Sequence, residues 1–211
     1  MSFSRRDLIK SLSLTAAAGS IPRLVPLAAA ETAHRMVNAH KAASSSGEYA
    51  PRFFSEHQYR TLRALCQAII PPDQESSGAV EAGAPEFIDL LTSENKDLQL
   101  QFGGGILWLD ATCMERYGQT YLLCAPGQQT EMLDLIAFRK NAEKDPRLTP
   151  GIEFFSTLRK YTADGFFTSE LGIKYLGYIG NTYLKEFPGC PAIPPSEKRK
   201  PPAPASSVNK S

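Results

Sequence analysis

Residues 53–190 repeat one arrangement: a capping residue, an apolar stripe at helical spacing, then a proline or glycine that stops it. No alternating strand pattern longer than a few residues interrupts it. Such a run folds as helix packed on helix. The first unit is the clearest. Ser55 is an N-cap, Gln58 is its capping-box partner, and Phe54 staples against Tyr59. Tyr59, Leu62, Leu65, Cys66, Ile69 and Ile70 fall on one face, and Pro71-Pro72 ends the helix. Pro85 opens a second helix through Phe87, Ile88, Leu90 and Leu91. A third, from about Lys96 to Tyr117, carries Leu98, Phe102, Ile106, Leu109, Cys113 and Tyr117. Gly103-Gly104-Gly105 lies inside it, each glycine weakening a helix by about 1 kcal/mol relative to alanine. A kink or a close helix crossing is expected there. Pro126 opens a fourth helix with Met132, Leu133, Leu135, Ile136 and Phe138 as its buried set. Thr149-Pro150 caps a fifth, with Phe154, Leu158 and Tyr161. The expectation is all-α: one compact helical domain of about five to seven helices, large enough for its own core.

The flanks differ in kind. Residues 31–52 are Ala-rich, then Ser44-Ser-Ser-Gly47 and Pro51, and read as a linker. Residues 191–211 hold six prolines and almost no bulky apolar side chain. That composition buries too little surface to offset its ordering entropy, so a disordered tail is expected.

Residues 1–30 have the order of an export signal: a basic start, an apolar middle and a small-residue end. Ser4-Arg5-Arg6-Asp7-Leu8-Ile9-Lys10 resembles the twin-arginine pattern, with Leu8 and Ile9 as its apolar pair. An ordinary secretion signal with two adjacent arginines is the alternative. Ala28-Ala29-Ala30 offers an A-x-A site, with cleavage between Ala30 and Glu31. A twin-arginine route exports chains already folded, and the expected location is the periplasm, where a complex could associate the chain with the membrane; whether the signal is cleaved or retained as a weak anchor is open. Removing residues 1–30 takes four basic groups and one acid, leaving 19 basic and 21 acidic groups. No polycationic face remains, so nucleic acid is not an expected partner.

Motifs for chemistry are missing. The three histidines, His34, His40 and His57, lie outside any H-E-x-x-H or acidic cluster and read as solvated. The four cysteines include no C-x-x-C, and C-x-x-C-H is absent. There is no G-x-G-x-x-G, no Walker loop and no G-x-S-x-G. Acid pairs such as Glu131 with Asp134 suit a solvated helix face. No catalytic, cofactor-binding or metal-binding residue is assigned to this chain.

An exported protein meets an oxidising compartment. Cys66 lies on an apolar helix face and reads as a buried thiol. Cys113 and Cys124 flank a short connection and could bridge across it; four cysteines allow three full pairings. Cys190 sits beside the tail, where a bond to another chain or a free or intrachain thiol are both open.

Phe53 to Ile70, Pro71-Pro72-Asp73 and Ser77 to Asp89 resemble the start of the gluconate 2-dehydrogenase subunit 3 family. Leu176-Gly177-Tyr-Ile-Gly180-Asn181 and Glu186-Phe-Pro-Gly-Cys-Pro191 are similar to its end. Cys124-Ala-Pro126 departs from the more usual polar cap before the fourth helix. The resemblance implies a non-catalytic small subunit of a periplasmic sugar or polyol dehydrogenase. Its implied partner is a large FAD-bearing subunit of the glucose–methanol–choline type, often with a cytochrome c subunit. The small chain would escort that folded partner through the twin-arginine translocase. Tyr175, Tyr178, Asn181, Tyr183, Phe187 and Cys190 are then candidates for the partner interface, aromatics being enriched among binding anchors. Core packing or capping is the alternative for each. The rival functions are a self-sufficient sugar-binding protein and an electron-transfer subunit.

Overall fold

The computed structural model describes residues 27–44, 48–74 and 77–178. Among them there is no strand. Six helices have ten residues or more: α1 Leu27–Ala43, α2 Glu56–Ile69, α3 Ala84–Ser93, α4 Gly104–Tyr117, α5 Pro126–Ala137 and α6 Thr149–Phe167. A short α7, Glu170–Tyr175, follows α6. The all-α expectation holds.

α3 is the axis of the domain. Ala84 to Thr92 are all buried, so the helix has no solvent face. α1, α2 and α6 pack around it. The expected stripe Phe87, Ile88, Leu90 and Leu91 is there, and two acids, Glu86 and Asp89, are buried with it. Asp89 is fully enclosed. Its Oδ2 accepts from the Tyr49 hydroxyl at 2.8 Å and the Arg52 amide at 2.7 Å. Its Oδ1 accepts from the Phe53 and Phe54 amides, each at 3.1 Å. A buried carboxylate is tolerated only with such saturation. The result is a clamp holding residues 49–54 on α3, immediately ahead of the Ser55 cap. Ser55 Oγ accepts from the Gln58 amide and Gln58 Oε1 accepts from the Ser55 amide, the capping box the sequence predicts.

The glycine run does both things expected of it. A π-helical turn covers Gln99–Gly103 and leads into α4. One turn of α4 crosses α6 at contact distance: a Cβ on Gly105 would lie 2.1 Å from the Phe154 ring. Leu98, Phe102, Ile106, Leu109 and Cys113 are buried as predicted.

Three expectations need correction. Residues 31–52 are not a linker throughout, because α1 occupies Leu27–Ala43 and crosses the expected boundary at residue 30. Ala29, Ala30, Ala33, Met36 and Val37 form its buried stripe; small side chains at helical spacing made it read as mere Ala-rich chain. His34 is therefore not solvated: its ring stacks on Phe87 at 5.0 Å and its Nε2 lies 3.1 Å from Thr168 Oγ1. His57 is exposed as expected, with Asp110 at 2.7 Å. Phe138 is exposed rather than buried, because α5 ends at Ala137, and the Lys140 ammonium lies over its ring at 5.3 Å. One cap detail also differs. Thr149 continues a 3₁₀ turn, Pro146–Leu148, instead of capping α6. At Pro126, Ala125 has no cap oxygen, and Gln128 Oε1 accepts its amide at 2.9 Å.

Candidate partner interface

α4 carries more apolar residues than one face needs. Leu107, Ala111, Met114 and Gly118 follow one another at spacings of four, three and four, which puts them on one side of the helix. All are exposed. Leu100, on the π-helical turn, and Gly104 extend the row. The solvent-facing fractions of Leu100, Leu107 and Met114 are 76%, 62% and 50%. No atom lies within 4 Å of a Cβ built on Gly104, so the row has an open notch between two leucines. A 3.5-residue repeat with a small residue in it is the pattern of a seam that receives a second helix.

Beside the seam is a groove of about 870 Å³ between α4 and α6. Leu100, Gly104 and Trp108 form one wall; Thr149, Glu153 and Thr157 form the other. Trp108 stands against α6 because Gly151 has no side chain: a Cβ there would come within 2.1 Å of the indole. The aromatic edge at this groove is thus fixed by the helix crossing.

A second apolar surface lies where α6 meets α7. Phe167, Leu171, Tyr175, Leu176 and Tyr178 are all exposed. Tyr175 is braced edge-on against the buried Phe166, ring centroids 6.1 Å apart. Ser169 orders the bend: its Oγ donates to the Phe166 carbonyl at 2.7 Å and accepts from the Gly172 amide at 3.0 Å. The structure thus gathers two predicted interface residues, Tyr175 and Tyr178, on one surface. Asn181, Tyr183, Phe187 and Cys190 lie outside the described residues, as do the signal residues Ser4, Arg5, Arg6, Leu8, Ile9 and Lys10. Ala30 closes the first turn of α1 and Glu31 follows it.

The sequence reading passed over the α4 seam. Its signal was present: once Leu98, Phe102, Ile106, Leu109 and Cys113 fill the buried face, Leu100, Leu107 and Met114 remain without a core position.

Polar side chains are tied into the scaffold. Asp110 binds His57 through Oδ2 and the Tyr121 amide through Oδ1, so the pair links α2 to α4 and to the following turn. Glu86 takes Lys41 at 3.2 Å and Arg63 at 3.8 Å. Cys113 and Cys124 are brought together as free thiols, and Cys124 Sγ donates to the Gln119 carbonyl at 3.8 Å. Burial pushes the Cys113 thiol up to about 12, and Cys66, fully enclosed, likewise to about 12. Neither is a ready nucleophile. Among the described residues no three His, Cys, Asp or Glu side chains gather as a metal site. Among them, too, no helix is long and apolar enough to cross a membrane.

The family profile for gluconate 2-dehydrogenase subunit 3 matches residues 56–189, well over half of the chain. The chain belongs to this family. No curated protein and no solved structure matches it. Membership makes it a subunit of a dehydrogenase complex, associated with other dehydrogenase subunits. The matched stretch begins at α2 and includes both the seam and the α6–α7 surface. α1 lies ahead of it.

Proposed function

We propose that this chain is the non-catalytic small subunit that binds, stabilises and escorts a large FAD-dependent sugar or polyol dehydrogenase subunit through twin-arginine export. The observation that carries the reading is the doubled apolar character of α4: a complete buried face and a second, exposed one. In a family named for a subunit, such a surface supports a partner seated there. FAD would reside in the large subunit, of the glucose–methanol–choline type, and a cytochrome c subunit would take the electrons. The chain itself would hold no cofactor. Tyr175 and Tyr178 would add a second area of contact, and Cys190 a covalent link. The location would be the periplasm, reached through Arg5 and Arg6.

The large subunit is co-expressed with this chain and with its Arg5→Lys/Arg6→Lys variant. Loss of periplasmic dehydrogenase activity, with activity kept in the cytoplasm, is the expected result. Unchanged periplasmic activity would sink the escort role. A sugar-binding protein is the second reading, favoured by the groove at Trp108 with its polar wall of Thr149, Glu153 and Thr157. Calorimetric titration of the purified chain with aldoses, aldonates and polyols decides that reading.

A further inference from the structure

The candidate cleavage bond, Ala30–Glu31, is not in a loose segment. It lies inside α1, with Leu27 to Ala30 preceding it in the same helix. Ala29 and Ala30 are both fully buried, and Ala30 belongs to the same apolar core as Ala33, Met36 and Val37. Three further contacts hold the helix down. His34 stacks on Phe87 of α3, and its Nε2 meets Thr168 just past α6. At the far end Lys41 pairs with Glu86 of α3. On the outer side Thr32 Oγ1 donates to the Ala28 carbonyl at 2.8 Å and so spans the bond within the helix, while Arg35 pairs with Glu31 just after it.

A leader peptidase takes its substrate extended, with the small side chains at the first and third positions before the cut seated in its own pockets. Here the side chain before the cut is already seated, in the protein's core. Cleavage of a folded chain proceeds from its open form, at a rate set by how often that form is populated. We propose that docking of α1 on α3 withholds the Ala30–Glu31 bond, so that the exported chain keeps residues 1–30 and is cut only when α1 lifts off. This rests on the reading of residues 1–30 as an export signal. Retention of the signal would leave the complex with a basic leader that stays on the assembled subunit.

Two arms test it. In the first, purified full-length chain is treated with detergent-solubilised leader peptidase, and cutting at Ala30–Glu31 is followed by intact mass. The native chain is expected to resist. Val37→Asp, and the gentler pair Met36→Ala/Val37→Ala, should be cut at least about tenfold faster, as the loss of buried apolar contacts predicts for an opening equilibrium. Equal rates for the native chain and both variants, or no cutting at this bond in any of them, overturn the proposal. In the second arm the chain is recovered from the periplasm with its partner and its N-terminus is sequenced. A start at Glu31 overturns the proposal; a start at residues 1 or 2 supports it. A chain that never leaves the cytoplasm would instead refute the signal, a failure the first arm does not share.

Discussion

Gly151 lies beneath the Trp108 indole so closely that a Cβ would sit 2.1 Å from Cζ3 of the ring. The relation is reciprocal. Three residues earlier on α4, Gly105 receives the Phe154 ring at the same distance, three residues along α6. Each helix thus offers one glycine and one aromatic to the other, and the crossing is set by the two pairs together.

Gly151→Ala is therefore expected to destabilise the fold by about 1–3 kcal/mol, the usual penalty for forcing a methyl into a filled interface. Urea unfolding followed by circular dichroism measures it. In a Trp108→Ala background the same change should be nearly neutral, since the ring it strikes is gone. Additive losses in the double variant would contradict the reciprocal packing.

Asp89→Asn is expected to cost more than the loss of one hydrogen bond. The amide would turn two donors toward a site already supplied by the Tyr49 hydroxyl and three backbone N–H groups. A loss of about 2–4 kcal/mol is expected, since buried groups are left facing donors they cannot use. Amide exchange should rise first at Phe53 and Phe54. Protection there equal to that of the native chain would mean that the clamp is incidental.

Docking of α1 should depend on pH. Burial holds His34 down at about 4 against an ordinary 6.5, and the Lys41 charge pushes the same way; a backbone hydrogen bond at Gly165 opposes both. Facing the ring are Phe87 and Thr168. The undocked helix thus binds the extra proton and the docked one does not. Docking is complete above the ordinary value and weakens as pH falls from 6.5 toward 4, by up to about 1.4 kcal/mol per pH unit. Hydrogen exchange of α1 amides, corrected for intrinsic rate, should accelerate over that window. His34→Phe should flatten the response. An unaltered response in that variant assigns the effect to other groups.

Alkylation by iodoacetamide at pH 8 should modify neither Cys66 nor Cys113 in the folded chain, because both thiols are buried and pushed up to about 12. Unfolding should release both. Oxidised glutathione should likewise leave Cys66 and Cys113 in the thiol count until the chain is unfolded. Modification of either thiol in the folded chain would show that the burial is not maintained in solution.

What could be read from the sequence followed from residues whose effect is local. The Ser55–Gln58 box, Pro71-Pro72 and Pro126 act within one turn, and each element began or stopped where they stand. The glycine run told of a crossing but not of its partner, since Phe154 lies far along the chain. α1 was missed because alanine carries a weak apolar signal, and its burial depends on packing against α3 and the end of α6. His34 and Asp89 were out of reach for the same reason: their partners, Phe87 and residues 49–54, are brought up only by tertiary packing. The α4 seam was legible as a surplus of leucines, but a surplus is visible only after the buried face has been identified.

The seam supplies the sharpest separation of folding from binding. Leu107 and Met114 point to solvent, so Leu107→Glu/Met114→Glu should leave the chain's own stability within about 0.5 kcal/mol of the native value per site. The same substitutions place two charges where a partner's apolar side chains would be desolvated. Capture of the large dehydrogenase subunit by the tagged chain should then fall by at least about tenfold, the effect of losing a central anchor. Glu115→Gln, on the same helix but outside the seam, is the control and should leave capture unchanged. If the double variant captures its partner as well as the native chain does while Tyr175→Ala does not, the partner sits on the α6–α7 surface and the seam on α4 is not the contact.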